Sequence, residues 1–188
     1  MSDPQPPIHT PKHDQSLTFK IATAAIFTAL VFIITSQVPA IPIPATGGYF
    51  NVGETTIYVA ALLFGPLVGG IAGGVGASLS DAYLGFGIFA PGTLIIKFAE
   101  GTVTGFLNLK LKKYIKNATV TATLAVVAGG LVMVTGYFLY ELIVLSYPLA
   151  AALAEVPLNI GQMAVGLVIA VPIMHAVLRV FPQLNSYM

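Results

Sequence analysis

Long apolar runs make up most of the chain, and short proline-, glycine- or charge-bearing stretches divide them. From Leu17 to Val38 nearly every position is apolar or small, enough to cross roughly 30 Å of hydrocarbon as a helix. This run is too long for the apolar core of a signal peptide, and no small-x-small cleavage site follows it, so it reads as the first span. The stretch 39–50, PAIPIPATGGYF, carries three prolines and two glycines. These forbid a helix but leave the segment apolar, and it reads as a lid lying back over the protein. Two runs follow at 54–64 and 67–84, joined by a charge-free turn at Gly65-Pro66 of the kind that links helices. Three more occupy 91–108, 119–145 and 157–180. Tyr147-Pro148 breaks the fifth, an apolar Leu149–Glu155 leads into the sixth, and Pro172 predicts a kink in it. The expectation is an all-α membrane protein, one six-helix domain over 17–188. Residues 1–16, with four prolines and little apolar surface, are expected to form a mobile tail.

Composition agrees with that pattern. The 188 residues are 56% hydrophobic and 8% charged, with a mean hydropathy of +0.89; a soluble domain carries about a quarter charged residues. Alternating ten-residue barrel strands are absent. There is no cysteine, which removes disulfides, thiolate nucleophiles and cysteine-rich zinc sites. No metal site and no bound cofactor are expected of this chain.

The net charge of +1 says little, but its distribution says more. With six spans, Lys12, Lys20, the loop bearing Lys110, Lys112, Lys113 and Lys116, and Arg179 all fall on one side. The positive-inside rule makes that side cytoplasmic and puts both termini there, in a plasma membrane. Removing one span would scatter these charges to both faces. The sequon Asn117-Ala118-Thr119 is then cytoplasmic and silent.

Small residues recur every four positions at Gly69, Gly73 and Ala77, with Gly70, Gly74 and Ser78 beside them, as in a helix buried among helices. No strand precedes these glycines and no Gly-Lys-Ser/Thr follows them, so they do not form a phosphate loop. Ala25 and Ala29 put two methyl groups on one face of the first span, for intramolecular packing or for docking.

The chemistry centres on Lys97 and Glu100, opposite charges at i and i+3 inside an apolar run. Ionisable groups at membrane depth mark polar interiors or substrate pathways, and the other reading is an ion pair tying helices together. At about 1.5 Å per residue, Lys97 and Glu100 lie roughly 10 to 15 Å from the external ends. Asn159 and Gln162 lie somewhat less deep, Glu141 is about two turns in, and Asp81 and Asn51 are near the rim. Polar groups from five spans thus converge in one half of the bundle, either as a partly wet cavity for a small polar molecule or as interhelical hydrogen bonding. Tyr137 lies in the same half. Glu54, three residues after Asn51, is read as a helix-capping residue. His175, near the cytoplasmic exit, is read as a packing or interfacial residue and not as a ligand.

The runs FNVGETTIYVAALLFGPLVGGIAGGVGASLSDAYLGF, APGTLIIKFAEGTVTGF and EVPLNIGQMAVG resemble those of the integral membrane substrate-binding subunits, or S components, of energy-coupling factor (ECF) vitamin transporters. The resemblance covers nearly the whole chain from Leu17 onward. It implies a six-helix protein that captures a water-soluble vitamin, precursor or metal ion from outside, and partners with a transmembrane coupling subunit and two cytoplasmic ATPases that use ATP. It also implies that Ala25 and Ala29 contact the coupling subunit and that 39–50 is the gate. Lys97, Glu100, Tyr137, Glu141, Asn159 and Gln162 would bind substrate. The histidine-rich start of the nickel and cobalt members is missing, and there is no tryptophan to stack on thiamine. The sequence style leans to the pyridoxine or hydroxymethylpyrimidine members. No ATPase motif, HExxH or GxSxG occurs, so a non-catalytic binding subunit is expected. The alternative is a self-sufficient ion-coupled carrier relaying protons through Lys97, Glu100 and Glu141.

Overall fold

The computed structural model describes residues 17–39 and 41–187, with side chains through 184. The predicted tail over 1–16 lies outside the described residues. The helices are α1 (Leu17–Gln37), α2 (Gly53–Phe64), α3 (Pro66–Leu84), α4 (Ala90–Leu111), α5 (Ala118–Leu139) and α6 (Leu149–Val180). A π-helical turn, Tyr140–Val144, continues α5.

Two boundaries differ from the sequence reading. The lid segment is an antiparallel hairpin, β1 (Ile41–Ile43) and β2 (Gly48–Phe50), with Ile41 opposite Phe50 and Ile43 opposite Gly48. Gly47, at φ 73°, closes its turn by donating its N–H to Ile43 O at 2.9 Å, a conformation glycine adopts without strain. Helix α6 starts at Leu149 rather than Pro157, and Pro157 lies inside it. Proline removes one helical N–H, but the early turns bury Ala152 and Glu155, and that holds the helix together across the gap.

Local chemistry sets the other ends. Gly65 at φ 85° turns the chain, and Pro66 opens α3 with a pre-set φ. Asn117 caps α5, its side chain accepting from the N–H groups of Thr119 and Val120.

The bundle is arranged around α2, which packs against α1, α3, α4 and α6, while α1, α3, α4, α5 and α6 follow one another around it. Burial is inverted relative to a soluble protein. Ile95, Ile143 and Val168 are about 70% exposed, whereas Glu54, Lys97, Glu100 and Glu141 are at most 3% exposed. An apolar exterior around a polar interior suits lipid, where exposed polar groups go unsatisfied. Three stretches, Leu17–Gln37, Ala118–Val144 and Leu149–Val180, are long and apolar enough by themselves to cross a membrane. The protein is a membrane protein.

One half of the interior is apolar, with Tyr58, Leu62, Leu63, Val126, Ala170 and Met174 forming its core. The last turn of α2 sits there, while its first turn enters the polar half.

Candidate functional site

Three helices contribute inward rows at helical spacing: Glu54 and Tyr58 from α2; Thr93, Lys97 and Glu100 from α4; Glu155, Asn159 and Gln162 from α6. All of them are buried. Lys97 is the hub. Its ammonium is ion-paired to Glu54 and lies 3.1 Å from Glu100 Oε2. Tyr58 donates its hydroxyl to Glu100 Oε1 at 2.7 Å, and Gln162 Nε2 donates to Glu54 Oε2 at 2.9 Å. The Tyr137 ring centroid stands 5.6 Å from the Lys97 nitrogen, within cation–π range, and its hydroxyl is 2.9 Å from Thr93 Oγ1.

Above this network is a void of about 490 Å³, its mouth included, lined by Glu54, Asp81, Lys97, Tyr137, Glu155 and Asn159 among others. The hairpin covers it through three contacts. Thr46 donates its hydroxyl to Glu155, Tyr49 donates to Asp81 Oδ1 at 2.7 Å, and the Asn51 N–H donates to Gln162 Oε1 at 3.0 Å. Gly48 passes so near Glu155 that a Cβ there would stand 3.1 Å from Oε1. Burial pushes the Tyr49 phenol well above its ordinary value, and the Asp81 carboxylate beside it adds to the shift, so Tyr49 stays protonated and remains the donor. Tyr49→Phe should leave Asp81 short of a donor in a buried site, a cost of about 1–3 kcal/mol. The hairpin amides should then exchange with solvent roughly tenfold faster, as read by hydrogen–deuterium exchange.

The residues singled out from sequence divide into three groups. Lys97, Tyr137, Asn159, Gln162, Asp81 and Asn51 line the void together. Glu100 lies behind Lys97 and Glu141 lies within electrostatic range of Glu155, and neither lines the void. Ala25 and Ala29 are exposed on α1, away from the site. Glu54 is not the cap its position suggested: α2 has no side-chain cap, Asn51 accepts from Gly53 N–H instead, and Glu54 faces Lys97. Sequence reasoning missed Glu155, Thr46, Tyr49, Thr93 and Tyr58. The i, i+4, i+7 row of Glu155, Asn159 and Gln162 was the available signal, hidden by starting α6 at Pro157. His175 is exposed and 2.9 Å from Thr119 Oγ1.

The sequence that builds this pocket has relatives among known proteins. The family model described as ECF-type riboflavin transporter, S component, matches residues 16–179. The chain belongs to the ECF S-component family. It is 32% identical over 152 residues to the thiamine precursor transporter HmpT of Lactococcus lactis, covering 80% of this chain and 82% of that protein. An uncharacterized protein of Pyrococcus woesei is 40% identical over 136 residues, 72% of this chain and 86% of that one. A UPF0397 protein of Leuconostoc citreum is 35% identical over 75 residues, 40% of each chain. In this S component the polar row of α6 and Lys97 of α4 form part of the wall of the void.

Proposed function

We propose that this S component is the membrane-embedded binding subunit of an ECF-type importer, and that the void holds a small water-soluble vitamin or vitamin precursor of the pyridoxine or hydroxymethylpyrimidine type. The observation that carries the reading is the Glu54–Lys97–Gln162 network, which puts oriented polar groups from three helices on the wall of one covered void. Such preformed groups give specificity to small-ligand sites. The likeness to HmpT, named as a thiamine precursor transporter, favours a single-ring precursor over the larger riboflavin of the family model's description.

Six spans with both termini cytoplasmic also belong to this proposal, and the charges support it. Phe19 contacts Phe64, Asn108 donates to Leu62 O, and Thr119 meets His175. These contacts gather the start of α1, the α2–α3 turn, the lysines after α4 and the end of α6 at one end of the bundle. The void opens towards the other end. Energy comes from a transmembrane coupling subunit and two ATPase subunits, and the exposed Ala25 and Ala29 offer a smooth strip where another helix can approach closely. Leucine at both positions should leave ligand binding within about twofold, since surface changes cost little, while abolishing uptake and co-purification with the coupling subunit. Mass spectrometry of small molecules released from gently purified protein tests the central reading. A vitamin-like heterocycle is expected, and protein that is folded, carries none and takes up none when offered would overturn it.

A further inference from the structure

The void has an unbalanced charge lining. Lys97 is the one cation among the residues lining it, against the carboxylates Glu54, Asp81 and Glu155. The ammonium is already engaged by Glu54 and by Glu100 behind it, so it has little attraction left for an incoming anion. Asp81 and Glu155 form no ion pair among the described residues; each is met by a hydroxyl from the hairpin. Glu141, fully buried, adds a further carboxyl beside Glu155.

Two residues on the wall of the void have hydrogen-bonding capacity unused among the described residues. Glu54 Oε1 is buried with no hydrogen-bond partner among the described residues. Asn159, 5% exposed, lines the void and makes no side-chain hydrogen bond among them. Gln162 is committed at both ends, to Glu54 and to Asn51, so it holds the frame and does not read the ligand. Buried polar groups need partners, and carboxylates here need cations or donors.

Resting on the reading of this site as a vitamin pocket, we propose that its substrate is a nitrogen heterocycle presenting a cationic or amino-bearing edge to Glu155 and Glu54, and that anionic forms, phosphate esters included, are rejected. Asn159 pairs with a ring nitrogen or a hydroxyl, and Tyr49 and Tyr137 line the void beside it. Lys97 is a positioning residue that holds Glu54 in place; it is not an anion receptor. Like-charge juxtaposition supplies the discrimination.

Calorimetry on the full chain in detergent, with matched probes, tests this. The pairs are hydroxymethyl-aminopyrimidine and its phosphate ester, pyridoxamine and its 5′-phosphate, and nicotinamide and nicotinate, with riboflavin and biotin alongside. At least one uncharged or cationic member should bind, at least a hundredfold tighter than its anionic counterpart. Glu155→Gln should weaken a cationic probe at least tenfold and a neutral one less, a difference that a merely structural role would not produce. Equal or tighter binding of the anionic members, or of biotin, would overturn the substrate class and leave the vitamin-binding reading standing. Preference for riboflavin would also overturn the class and leave that reading intact. Folded protein that binds no probe would overturn both.

Discussion

Methionine in place of Lys97 should cost the protein both stability and ligand binding. The substitution roughly preserves the volume of the stem but removes the charge shared by Glu54 and Glu100, which are 1% and 0% exposed. Breaking a buried ion pair by deleting one partner costs about 3–5 kcal/mol, because the surviving charge has neither water nor a counterion. Here two carboxylates survive, with only the hydroxyl of Tyr58 and the amide of Gln162 as donors. The melting temperature in detergent should fall by roughly 10 °C on the usual scaling for a chain of this size. A second variant separates fold from function. Adding Glu54→Gln to Lys97→Met removes one orphaned charge, so most of the lost stability should return, while vitamin binding stays absent because the wall of the void no longer has its oriented carboxylate. Unchanged affinity in Lys97→Met would show that the hub plays no part in recognition.

The sequence exposed this hub because charges inside an apolar run are expensive. Lys97 and Glu100 therefore stand out without knowledge of their neighbours. Their partner did not, because Asn51 followed by Glu54 copies the spacing of a capping box, and only tertiary packing decides whether that carboxylate serves its own helix or another. Glu155 was hidden for a different reason. Proline usually starts or ends a helix, so Pro157 drew the boundary past the residue that α6 in fact buries. The hairpin over 41–50 could be read as non-helical but not as paired strands, since its register depends on Thr46 and Tyr49 finding Glu155 and Asp81 across the void. Glu141 shows the limit of depth arguments. Helical counting gives a level along the bundle and not a direction, and Glu141 is buried near Glu155 without being one of the residues that line the void.

Gly101→Ala should be the most damaging change outside the polar cluster. A Cβ at that position would lie deep inside the contact radius of the Gly69 carbonyl, with Gly70 N at 2.9 Å. The obstacles are backbone atoms, so no side chain can rotate away, and relief requires α3 and α4 to separate. Overpacking a tight core costs about 1–3 kcal/mol and more where the backbone must shift. Lys97 lies one turn before Gly101 on α4, so the same displacement draws its ammonium away from Glu54 on α2. A change with no polar atom in it should therefore lower both the melting temperature and the affinity for ligand. Gly87→Ala is the control. Nothing lies within 4 Å of a Cβ there and its φ is not positive, so its effect should stay within about 0.5 kcal/mol. Equal melting curves for the two variants would mean that α3 and α4 are not in backbone contact at Gly69 and Gly101, and that the position of Lys97 is set by something other than this helix pair.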